Sequence, residues 1–149
     1  MPGHDKLWKI RPLFDLQQKE FQEKYYIGQN KSVDEMMVKG KGKNTVKQYL
    51  PLKPIKRGSK VWALGCSCCG YVFDMQVYCG KVAANTVEHG LAFCVVMDLC
   101  EPHLPNGNNH VVYVDICFTS LPLSQHLESV GIYCVEGIPM SSLYGETPK

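Results

Sequence analysis

Two aspartates, Asp34 and Asp115, have the type and setting for chemistry. Asp115 closes the apolar run Val111-Val112-Tyr113-Val114 and precedes Ile116-Cys117-Phe118. Such a run reads as a strand buried on both faces. A carboxylate at its end is costly unless a cation or a hydrogen-bond network holds it. Asp34 has a similar setting in Ser32-Val33-Asp34-Glu35-Met36-Met37-Val38. Two strand-borne carboxylates brought together by a fold offer hard oxygen ligands to divalent metal ions, and thereby serve phosphoryl chemistry. Taken singly, each also reads as a structural acid at a strand end.

A second feature is basic. Lys39, Lys41, Lys43, Lys47, Lys53, Lys56, Arg57 and Lys60 follow the Asp34 segment, and no acid occurs between Glu35 and Asp74. These side chains suit DNA phosphates, contacted without reading sequence. A solvated hairpin explains such a charge run equally well. Tyr49 and Trp62 have faces on which bases stack, although aromatic residues on strands more often belong to a core.

Cys66-Ser67-Cys68-Cys69 contains a CxxC, yet no second CxxC or paired histidine follows it. A structural zinc site needs four ligands, so no zinc is expected and the thiols read as incidental to a turn. Cys94, Cys100 and His103 scatter over a helix and its exit, and His4, His89, His110 and His126 have no partner at catalytic spacing.

These residues need elements to position them. Residues 12 to 25 read as a helix with Pro12 in its first turn and a stripe of Phe14, Phe21 and Tyr25. Strands are predicted over Lys31 to Val38, Lys60 to Leu64, and Tyr71 to Cys79, with strand-like Thr45 to Leu50 between the first two. In the Tyr71 strand, Phe73, Met75 and Val77 share one face, and Asp74 and Gln76 the other. Asn85 with Glu88 starts a helix whose stripe is Val87, Leu91, Cys94 or Val95, and Leu99. Pro105 to Asn109 forms a turn-rich loop. The Asp115 strand follows. Ser120 then caps a helix with Leu123, Leu127 and Val130 inward, and Gly131 ends it before a strand over Ile132 to Val135. The order is a three-strand meander followed by β-α-β-α-β, with right-handed parallel crossovers. That is the order of an α/β, ribonuclease H-like mixed sheet, in which Asp34 and Asp115 fall on adjacent central strands.

With 149 residues, 45% of them hydrophobic and 20% charged, the chain fits one domain with a real core. A net charge of +2 does not by itself imply a nucleic-acid partner. The N-terminus has no signal-peptide core, and no stretch is long enough for a membrane span. The eight cysteines therefore read as reduced, buried thiols.

Five segments together resemble the transposase domain of the piggyBac transposable element-derived family. They are Arg11-Pro12-Leu13-Phe14-Asp15, Ser32-Val33-Asp34-Glu35-Met36, Lys47-Gln48-Tyr49-Leu50-Pro51 with Lys53-Pro54, Gly70-Tyr71-Val72, and Val112-Tyr113-Val114-Asp115 with Phe118-Thr119-Ser120. The resemblance implies that Asp34 and Asp115 match the first two catalytic aspartates of a DNA cut-and-paste enzyme using two Mg²⁺ ions. It implies nuclear residence and contact with DNA.

The resemblance also implies a third catalytic acid on a later helix. Glu136 and Glu146 are the acids after the last predicted strand, and neither suits that place. Cys66 stands near a position where the family usually has an acid, and Ile116 where it usually has Asn. The expectation is therefore a tail over residues 1–8, a partial transposase domain over 9–136 that is incomplete at its C-terminus, and a divergent tail over 137–149. Its expected function is that of a non-catalytic, transposase-like domain with weak, sequence-tolerant DNA contact. The alternatives are a metal-dependent transposase or nuclease completed by a partner chain, or a vestigial protein-interaction module. The oligomeric state is left open.

Overall fold

The computed structural model describes residues 5–42, 45–80, 90–104 and 109–136. Helix α1 spans Arg11–Lys24. Asp5 holds its entry by accepting from Arg11 Nε at 2.9 Å and from Leu7 N at 2.9 Å. Strands β1 (Asn30–Lys39), β2 (Lys47–Tyr49), β3 (Arg57–Cys66) and β4 (Val72–Val77) follow. Next come α2 (Leu91–Cys100), β5 (His110–Val114), α3 (Leu121–Ser129) and β6 (Ile132–Glu136).

The strands form one sheet in the order β2-β3-β1-β5-β6, with β4 also on β3. Strand β3 is antiparallel to β1, β2 and β4, whereas β5 runs parallel to β1 and β6. The result is a mixed α/β fold whose strand sequence follows the predicted meander and β-α-β-α-β halves, with β2 inserted between β1 and β3.

The core lies between the sheet and helices α2 and α3. Val33 and Leu64 from the sheet, Val96 and Cys100 from α2, and Leu123 and Leu127 from α3 are at most 1% exposed. Burying each such side chain contributes about 1.5–3 kcal/mol. The α3 signals act as read: Ser120 Oγ accepts from Leu123 N at 3.4 Å, and Gly131 has φ 79°. At the other end of the sheet, a Cβ on Gly58 would lie 2.3 Å from the Val38 carbonyl oxygen, so only glycine fits where β3 meets β1.

Three expectations change. Strand β5 is not buried on both faces: Val112 and Val114 are buried, but Tyr113 is 39% exposed because no described helix covers its face. In β4 the ladder steps from Leu64↔Asp74 to Gly65↔Val72 and leaves Phe73 unpaired. This irregularity resets the alternation, so Asp74 and Gln76 share the helix-facing side with Leu64 and Trp62, and Met75 and Val77 turn away. In α2, Val95, Val96, Leu99 and Cys100 are buried and Leu91 is exposed, because helix packing rather than the single predicted stripe sets its inward side. The Asn85–Glu88 helix start with Val87, the loop at 105–108, and the tails at 1–4 and 137–149 lie outside the described residues, as do His4, His89, Lys43 and Glu146.

Candidate functional site

Asp34 and Asp115 follow neighbouring rungs. The parallel β1–β5 ladder runs from Asn30↔Val111 to Val33↔Val114, and each aspartate is the next residue along the chain, Asp34 within β1 and Asp115 just past the end of β5. Parallel strands lie about 4.8 Å apart, so the two backbones leave the ladder side by side. Val33 and Val114 point into the core; alternation turns Asp34 to the opposite, uncovered face, where it pairs with Ala63 of β3. Both aspartates are exposed. Each Oδ1 accepts the N–H of the following residue, from Glu35 at 2.6 Å and from Ile116 at 2.7 Å. Beside Asp34 a shallow cavity of about 190 Å³ has Ser32, Met36, Ala63, Gly65, Cys66 and Val72 among its lining residues. Among the described residues no group of three or more His, Cys, Asp or Glu side chains could hold a metal ion.

The basic segment divides. Lys53 and Lys60 bind Glu35 at 3.2 and 2.5 Å. Burial pushes the Glu35 carboxyl up, and the Lys60 and Lys53 ammoniums outweigh it, leaving it below the usual carboxylate range. Glu35 pairs across the sheet with Trp62, on the face opposite Asp34. Two of the eight expected phosphate contacts are thus held by a carboxylate of the protein. Lys39, Lys41, Lys56 and Arg57 are exposed, and Lys47 donates to the Gly42 carbonyl. Lys39 lies five residues beyond Asp34, about 16 Å at roughly 3.3 Å per residue. The basic end is therefore one sheet-length from the aspartates, not beside them. Trp62 is 4% exposed and belongs to the core, while Tyr49 is 60% exposed beneath the Arg57 guanidinium.

Sequence spacing missed three polar clusters. Buried Asp74 accepts from His103 Nε2 at 2.5 Å and from Gln18 of α1. Fully buried Lys31 donates to the carbonyls of Gly28 (2.6 Å) and Gln29 (3.1 Å), and its Nζ lies 2.7 Å from His110 Nδ1. Burial, then the Lys31 charge, lower the His110 pKa, so its neutral ring accepts from the ammonium. Tyr25, Cys66 and Cys69 meet where α1 ends against the β3–β4 turn. All eight cysteines are free; Cys68, Cys69 and Cys117 are exposed, which corrects the reading of buried thiols throughout.

A family model described as Transposase IS4 matches residues 1–141. The chain belongs to this piggyBac-type transposase family. Human PiggyBac transposable element-derived protein 3 is 35% identical over 138 residues, covering 85% of this chain and 22% of that protein. The human Chimeric ERCC6-PGBD3 protein is also 35% identical over 138 residues, of which the chain spans 12% of its length. The piggyBac-type chain thus covers about a fifth or less of these relatives. It also superposes on a piggyBac transposase from a cryo-EM synaptic complex with hairpin DNA. That match has a TM-score of 0.79 at 24% identity, over 97% of this chain and 31% of the other. The likeness is one of fold. No described helix of the piggyBac-type chain is long and apolar enough to cross a membrane.

Proposed function

We propose that residues 9–136 form a ribonuclease H-like, DNA-contacting transposase domain of a nuclear protein, and that this chain does not cut DNA by itself. The adjacency of Asp34, within β1, and Asp115, just past the end of β5, carries the reading. Two exposed carboxylates on a rigid sheet are the hard ligands Mg²⁺ takes, and these two aspartates would hold it. When bound, such an ion supplies electrostatic stabilisation to phosphate oxygens. The pair alone is a sparse ligand set for two ions. Cys66 and Ile116, the two positions that depart from the family's polar pattern, add no hard oxygen side chain.

DNA contact is supported by exposed Lys39, Lys41, Lys56 and Arg57, and by the related transposase having been seen with hairpin DNA. The test is a nicking and strand-transfer assay with Mg²⁺ and Mn²⁺, beside DNA retention at increasing salt. Retention that weakens with salt and is unaccompanied by cutting is expected. Cutting abolished by Asp34→Asn would establish the alternative of a working nuclease. Absence of DNA retention at low salt would remove the DNA-contact reading.

A further inference from the structure

The β3–β4 turn carries chemistry that the aspartate pair does not use. Cys66 ends β3, and Gly70 N donates to the Cys66 carbonyl at 2.9 Å while Cys66 N donates to Tyr71 O at 2.9 Å. This folds Cys69 back toward Cys66. From the end of α1, the Tyr25 hydroxyl lies 3.1 Å from Cys69 Sγ, and the same phenol lowers the pKa of the neighbouring Cys66 thiol. The Tyr25 ring is fixed by stacking on Tyr71 at 4.3 Å. Two thiols three residues apart thus share one phenol. Cys69 is exposed and Cys66 is buried.

We propose that Cys66 and Cys69 form a reversible dithiol–disulfide couple, with small-molecule disulfides as its oxidant and Tyr25 as the residue positioning the reduced pair. The exposed Cys69 sulfur attacks one sulfur of the small disulfide, losing its proton as the bond forms, giving a mixed disulfide and releasing one small thiolate. Cys66 then attacks the Cys69 sulfur, and the second small thiolate leaves. The two protein thiols are oxidised by two electrons, the small disulfide is reduced to two thiols, and the protons pass to the departing thiolates. Hydrogen bonds from Tyr25, then from the Cys69 and Cys68 N–H groups, bring the Cys66 pKa down to about 6, so its resolving form is the thiolate near neutrality. Cys66 pairs with Lys31 on the helix-facing side of β3, and the turn also borders the cavity beside Asp34.

The experiment uses the whole reduced chain, glutathione disulfide at about pH 7, and peptide mass mapping after alkylation. An intramolecular Cys66–Cys69 bond is expected before any other oxidised form. Cys66→Ser is expected to retain glutathione on Cys69. Tyr25→Phe is expected to raise the alkylation midpoint of Cys66 by at least about one pH unit. Glutathione spread over Cys68, Cys69 and Cys117 without an internal bond, or an internal bond through Cys68, would overturn the proposal. The wild-type map decides this without any variant that fails to fold.

Discussion

Asp34 and Asp115 stand one residue beyond Val33 and Val114, the last rung joining two parallel strands. Residues 81 apart in the chain are thereby brought to one edge of one ladder. The buried valines fix the register, because a slip of a single residue would turn them out of the core and the aspartates into it.

Because both carboxylates are exposed, removing either charge has little effect on folding. Asp34→Asn and Asp115→Asn are expected to change stability by less than about 0.5 kcal/mol. Each is expected to weaken Mn²⁺ binding at least tenfold, a cost of about 1.4 kcal/mol. Titration calorimetry with Mn²⁺, beside urea unfolding, separates the two effects.

The division of the basic segment predicts two kinds of lysine variant. Replacing Lys41 and Arg57 by Gln lowers DNA retention and reduces the slope against salt by about one unit for each phosphate no longer neutralised. Lys60→Gln leaves that slope nearly unchanged, since its ammonium is held 2.5 Å from Glu35. It costs about 1–2 kcal/mol of folding stability instead. Filter binding over a salt series and denaturant melts give the two readouts.

Asp74 ties α1, β4 and the segment after α2 through Gln18, His103 and its own strand. Asp74→Ala takes the carboxylate from the part-buried His103 Nε2, while Gln18 keeps the Met75 carbonyl, and is expected to cost about 2 kcal/mol. Hydrogen exchange should then show α1 opening more readily.

Acid acts through His110. Its pKa is lowered from 6.5, first by burial and then by Lys31, so the unfolded chain takes up a proton that the folded chain refuses. Stability from this group is present above pH 6.5 and is lost as pH falls through the lowered value. His110→Asn keeps an acceptor for the Lys31 ammonium and removes the titration. Its melting temperature should fall less steeply on acidification than that of the parent.

Gly58→Ala places a methyl group against the Val38 carbonyl oxygen and is expected to cost at least about 2 kcal/mol. Loss of the β1–β3 end pairing, seen as faster amide exchange at Val38 and Lys39, distinguishes this from a general loss of stability.

Local pattern was enough to read the element order, the place of Asp34 in β1, and the Ser120 and Gly131 boundaries of α3, whereas β5 stops one residue short of Asp115. Those signals act over one turn of helix or a few strand residues, so they are written in neighbouring positions. Tertiary structure alone decided that Lys53 and Lys60 turn to Glu35, that an unpaired Phe73 swings Asp74 to the helix side, and that Tyr25 meets Cys69. Such partners depend on register, on an irregular rung and on how a helix end docks. They are fixed by the packing of the whole sheet, and no spacing along the chain records them.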